Sequence, residues 1–178
     1  MTSQPDSPTQ PVACKPASPD ILPRPIFVYM ILRAKPLLAW VLTGDASIAT
    51  VSPMISPAQV SGYIRFALQH ADYPAAIRDE NNSSSTIDGY LLRLNTASER
   101  RKLDNFEGEL YVATAVNVSI LVAKKTPTGE TAEADMYTWN GEMGLLSQSL
   151  WDLDTFINER LDDWLDLFQG MELVSDDE

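Results

Sequence analysis

The residue types that could do chemistry converge on one short segment, Leu103-Asp104-Asn105-Phe106-Glu107-Gly108-Glu109-Leu110-Tyr111. It sets a carboxylate among apolar side chains where a short helix should give way to a strand. Burial beside Phe106 would disfavour the charged form of Glu107 and move its pKa toward neutrality, which suits it to accept a proton and return one. Taken alone, the segment favours the plainer reading of a surface carboxylate. Asp104 falls on the exposed side of the same short helix and reads as a solvated charge, not a second acid.

Other chemistries lack their residues. A nucleophilic triad would need His70, the single histidine, as its base, yet no Gly-x-Ser-x-Gly elbow is present. The single cysteine, Cys14, lies in a polar, proline-rich stretch, so neither a disulfide nor a His/Cys metal site can be assembled. The eight glycines form no Gly-x-Gly-x-x-Gly or Gly-Lys-Ser/Thr cradle for phosphates. Asp152, Asp154, Asp162, Asp163 and Asp166 are dense but lack the ligand order and mid-loop glycine of a calcium loop. No metal is expected.

The elements that must position the Glu107 segment follow from periodicity. Ile26 to Ile31 is a short apolar, β-branched and aromatic run bounded by proline, the pattern of a strand buried on both faces. Pro36 to about Leu42 reads as a short helix with proline in its first turn and Gly44 placed to end it. Val60 to Leu68 and Ile87 to Leu94 read as strands, with a short one at Ala75 to Arg78 before the polar loop Asp79 to Ser85. Thr96 with Glu99 makes a capping box opening a helix whose apolar side is Leu103 and Phe106 and whose terminator is Gly108. Tyr111 to Ala123 alternates in period two and pairs, across a turn at Thr126 to Glu130, with a strand carrying Met136, Tyr137 and Trp139. From Trp151, apolar residues at three- and four-residue steps predict one long amphipathic helix ended by Gly170.

At 178 residues and 44% hydrophobic, the chain is long enough for one domain with a sizeable core. Seven of the twelve prolines fall in residues 1–25, a stretch with no helical or strand period, which predicts a disordered arm. Residues 26–150 form the expected domain and 151–178 an acidic helix and tail packing on it. That terminal segment holds ten acidic residues and one basic, Arg160, so it carries −9 of the −12 net charge. Such acidity argues against nucleic acid and anionic membranes as partners. Neither a secretory signal nor about eighteen uninterrupted apolar residues appears, which points to a cytoplasmic protein. The apolar stripe of the terminal helix leaves two uses for it, covering a barrel face or forming a homodimer contact.

The order Phe27-Val28-Tyr29-x-x-Leu32, Gly62-Tyr63-x-Arg65, Tyr73-Pro74-Ala75, Asp88-Gly89-Tyr90-Leu91-Leu92, Leu103-Asp104-x-Phe106-Glu107-Gly108 and Tyr137-x-Trp139 resembles the γ-glutamylcyclotransferase-like family, including its plant avirulence-induced branch. The resemblance runs from about Ile26 to Trp151. It implies an α+β fold, a small mixed β-barrel flanked by short helices, here followed by the long acidic C-terminal helix. It also implies a small-molecule substrate, a γ-glutamyl compound whose own α-amine attacks its γ-carbonyl to release 5-oxoproline, without metal or organic cofactor.

By the same resemblance, the family's catalytic glutamate falls on Glu107. Its loop, usually Tyr-Gly-Ser/Thr-Leu, falls on Tyr29, Met30, Ile31 and Leu32, followed by Arg33, and would present N–H groups to the substrate. Met30 and Ile31 replace the glycine and the hydroxyl, removing one donor and making the pocket mouth more apolar. Tyr29 reads as a ligand contact or a core aromatic, Tyr73 as a pocket or packing residue, and Tyr111 as a partner of Glu107 or the start of a strand. Arg65 reads as half of a structural ion pair, and Trp139 and Trp151 as core. Two alternatives to the cyclotransferase remain open, a noncatalytic binding protein on the same fold and a pocket repurposed for another proton transfer.

Overall fold

Apolar runs too short to form a core alone are closed into a ring. The computed structural model describes residues 22–69, 71–123 and 126–169. His70, Cys14, Gly170 and the tail lie outside them, as does all of the expected arm except residues 22–25. In chain order the strands are β1 (Ile26–Val28), β2 (Ile55–Ser61), β3 (Tyr63–Leu68), β4 (Pro74–Arg78), β5 (Thr86–Leu92), β6 (Tyr111–Ala123), β7 (Thr126–Trp139) and β8 (Leu146–Leu150). The helices are α1 (Lys35–Thr43), α2 (Ala97–Glu107), α3 (Leu153–Glu159) and α4 (Leu161–Gln169).

Five strands form a closed barrel in the order β1-β5-β2-β6-β7, the mixed α+β barrel expected. Its neighbours pair antiparallel except where β7 returns to β1, a parallel contact at Ile26 and Asp135. A second sheet in the order β4-β3-β8 stands beside it. The core is continuous from Phe27, Leu37 and Leu38 through Leu91, Leu103 and Met136 to Trp151, Phe156 and Leu161. No described helix is long and apolar enough to cross a membrane.

Four expectations need correction. The Ile26 to Ile31 strand stops at Val28, because Met30 closes a tight 3-10 turn by accepting from the Arg33 N–H at 3.0 Å. The Val60 to Leu68 strand is two, divided at Gly62, whose φ of +84° turns the chain from the barrel into the second sheet. The hairpin's turn is not at Thr126 to Glu130, which already belongs to β7, with Thr126 opposite Ala123 and Pro127 opposite Leu121. The long terminal helix is two helices, broken at Arg160, whose φ of −126° leaves the helical range. Phe156 and Leu161, on either side of the break, are both buried against the molecule's own core.

Candidate active site

Local rules place Glu107. Thr96 caps α2 by accepting from the Glu99 N–H at 3.2 Å, while the Glu99 carboxylate accepts from the Asn95 and Thr96 N–H groups. Leu103 anchors the helix in the core, and three to four residues further its last turn carries Phe106 and Glu107 toward the barrel. Gly108 then takes φ +70°, a value that turns the backbone out of the helix at once. The chain enters β6 at Tyr111, so helix end and strand start bracket the carboxylate.

Glu107 opens into a cavity of about 260 Å³ whose walls are Met30 and Ile31 from the first turn, Phe106, Leu110 and Tyr111 from its own segment, Tyr73, and Trp164 from α4. It is the only acid among these lining residues. No described residue hydrogen-bonds its carboxyl, and burial in this apolar surround pushes its pKa up from 4.5 to about 8. The cavity lies at the lower edge of ligand-pocket sizes, about 300–1,000 Å³, and fits a small substrate.

Of the residues singled out from sequence, Glu107, Met30, Ile31, Tyr73 and Tyr111 share this cavity, whereas Tyr29, Leu32 and Arg33 do not line it. The Tyr29 hydroxyl is consumed inside, donating to the Tyr137 carbonyl and accepting from the Ala76 N–H at 3.2 Å. Leu32 is a core residue. Arg33 turns away, its guanidinium 5.8 Å from the centre of the Tyr90 ring. The Tyr111 hydroxyl does not orient Glu107; it donates to the Pro74 carbonyl at 2.7 Å and ties β6 to β4.

Met30 has φ −94°, so this turn makes no demand for glycine. At its open end the N–H groups of Ile31 and Leu32 make no hydrogen bond to described residues. Beneath it, Arg65 donates to the Tyr29 carbonyl at 2.9 Å and lies 5.2 Å from the Trp151 ring centre. That contact, not the expected ion pair, is its role; burial and then the Arg33 charge lower its pKa to about 10. Asp104, expected to be a solvated charge, is exposed but bonded: it accepts from the Tyr137 hydroxyl at 2.5 Å and pairs with Arg100 at 2.9 Å.

Sequence reasoning did not assign Leu110 or Trp164 to the site and used Phe106 only as the neighbour that buries Glu107. Leu110 sits within the catalytic-looking segment, so proximity was a signal. Trp164 belonged to the apolar stripe of the terminal helix, and nothing local distinguishes a stripe residue facing the core from one facing a cavity. No group of three or more metal-ligating side chains occurs among the described residues.

A five-stranded barrel flanked by short helices is the fold of γ-glutamylcyclotransferase-like proteins. The family model described as gamma-glutamyl cyclotransferase, AIG2-like, matches residues 26–157, and the chain belongs to that family. Membership supports a γ-glutamyl cyclotransferase-type activity and makes a small-molecule substrate plausible.

The Arabidopsis thaliana protein At5g39720.1, solved in solution, is 20% identical with a TM-score of 0.54, covering 82% of this chain and 87% of its own. A second Arabidopsis thaliana solution structure, At3g28950.1, is 18% identical with a TM-score of 0.54 and covers 87% and 95%. A solved gamma-glutamyl cyclotransferase is 11% identical with a TM-score of 0.47, covering 87% and 91%. The two Arabidopsis structures establish a shared fold. No curated protein matches the sequence significantly.

Proposed function

We propose that the protein releases 5-oxoproline from a γ-glutamyl amide by intramolecular aminolysis, with Glu107 as the acid/base. The observation that carries this reading is a lone carboxyl, unbonded by described residues and raised to about 8, facing a small cavity next to an open turn. As carboxylate, Glu107 takes a proton from the substrate's α-ammonium. The freed amine attacks the γ-carbonyl carbon, forming the ring C–N bond. The tetrahedral intermediate collapses by breaking the bond to the departing nitrogen, which receives the proton that Glu107 holds. Glu107, ionised again, removes the second proton from the ring nitrogen and passes it to the released amine or to solvent, so the lactam keeps one N–H, and no redox partner or co-reactant is needed.

A pKa near the working pH suits a group that must both take and give a proton. Proximity comes from the substrate, because both reacting groups belong to one molecule and the cavity has only to hold its folded-back form. The Ile31 and Leu32 N–H groups would receive the substrate carboxylate or the developing oxyanion. Neither step draws on a metal or cofactor.

Ile31 lines the cavity where the family pattern has a hydroxyl, and that favours a second reading, a binding protein that keeps the pocket without turnover. Incubation with γ-glutamyl amino acids, γ-glutamyl amines and glutathione, followed by mass spectrometry for 5-oxoproline, separates the two. The cyclotransferase forms product, and Glu107→Gln lowers the rate at least about 10²-fold. Absence of product from every compound with folded protein, or equal rates in the variant, removes Glu107 from the chemistry.

A further inference from the structure

One side chain of the cavity wall, Trp164, comes from outside the span that the family model matches. That span ends at residue 157, while α4 begins at Leu161 and brings Trp164 to the cavity. Trp164 is held there by contacts on three sides. Its indole N–H donates to the Asp72 carboxylate at 2.9 Å, its ring meets Tyr73 edge-on at 6.2 Å, and Phe156 packs behind it at 6.3 Å. Asp72 also accepts from Arg160 at 3.0 Å, at the break between α3 and α4. One carboxylate thus fixes both the angle of α4 and the orientation of its tryptophan.

The chemistry of the wall is one-sided. Trp164, Phe106, Leu110 and Tyr73 present rings and an aliphatic chain, and among the described residues no lysine or arginine lines the cavity to meet a negative charge. The γ-glutamyl half of a substrate, with its ammonium, must lie by Glu107. The departing half then lies along the aromatic wall. A carboxylate on it, as in a γ-glutamyl amino acid, would be desolvated without a partner, which is costly.

We infer that α4 is the specificity wall of this site: Trp164, oriented by Asp72, selects a substrate whose departing amine carries a flat apolar or aromatic group and no charge. The inference rests on the cyclotransferase reading of the cavity and narrows it to uncharged, ring-bearing γ-glutamyl amides. Asp72 touches no substrate and is a positioning residue.

The test titrates the Glu107→Gln protein calorimetrically with γ-glutamylbenzylamide, γ-glutamylmethylamide and γ-glutamylglycine. The benzylamide binds at least about tenfold tighter than the other two. Adding Trp164→Leu, which keeps an apolar side chain but loses the ring, brings the affinities within about twofold of one another. Adding Asp72→Ala weakens the preference, and Asp72→Asn, which can still accept from the indole, restores much of it. Equal affinities in the parent, no binding of the benzylamide, or a preference that survives Trp164→Leu overturns the assignment. Assay of 5-oxoproline with the unsubstituted protein keeps the two readings apart. Turnover of all three amides without preference sinks the wall alone, whereas the binding preference without product sinks the reaction alone.

Discussion

The apolar surround partly desolvates the Glu107 carboxyl, which no described residue hydrogen-bonds, and so pushes its pKa up to about 8. Two pH dependences follow, of opposite sign. As a base it must be ionised, so kcat/KM climbs with pH to a plateau above about 8, and a profile flat between pH 6 and 9 would contradict a buried base. Stability moves the other way. Between 4.5 and about 8 the folded protein retains a proton that the unfolded chain has released, so folding weakens as pH rises through this window. Glu107→Gln carries no such penalty. Its Tm should match the unsubstituted protein below pH 4.5 and exceed it by a margin that widens up to about pH 8 and then holds. A constant difference across the range, read by scanning calorimetry, would show that the carboxyl keeps its ordinary pKa.

At the scale of elements, α2 delivers Glu107, and both of its ends rest on local chemistry. Thr96→Ala removes the hydroxyl that accepts from the Glu99 N–H and should cost about 1 kcal/mol in urea denaturation. A loss below about 0.3 kcal/mol would mean that packing of Leu103 alone holds the helix. These ends were legible in the sequence for the same reason: a capping box and a terminating glycine act within a few residues. The paired β6 and β7 and the barrel class were legible too, through period-two alternation and the family order. What was not legible depends on distant partners. Leu146 to Leu150 becomes β8 by pairing with β3 at Phe66 and Leu68, and Pro57 in β2 gave the opposite signal to the strand it occupies. The break at Arg160 is invisible because the apolar stripe runs through it, from Phe156 to Leu161 and Trp164. Arg160 leaves the helix with its side chain on Asp72, 88 residues away in sequence. Tyr29 and Tyr111 were recognised as important, but their roles turned on hydroxyl partners in β4 and β7 that no spacing discloses.

At the scale of the whole molecule, Trp151 joins parts that would otherwise share little. It follows β8 of the side sheet, its indole N–H donates to the Asp72 carbonyl at 2.8 Å, and its ring packs on Phe156 of α3 at 6.0 Å. On its other face lies Arg65, whose guanidinium holds the Tyr29 carbonyl just before the turn that lines the cavity. Barrel, side sheet and terminal helices thus meet at one side chain. Asp72 serves the same junction twice, through its carbonyl to Trp151 and through its carboxylate to Trp164 and Arg160. Removing Trp151 therefore acts beyond its own contacts, since Arg65 loses its aromatic support and α3 its anchor. Trp151→Ala should cost about 3–5 kcal/mol in urea denaturation, the range for emptying a large buried aromatic site. Trp151→Phe, which refills most of the volume but lacks the N–H, should recover more than half of that loss. If Trp151→Ala costs under about 1 kcal/mol with an unchanged urea slope, α3 and α4 are held by Asp72 and Phe156 without Trp151. The placement of Trp164 at the cavity would then be independent of Trp151, and only Asp72→Ala, not Trp151→Ala, should loosen it.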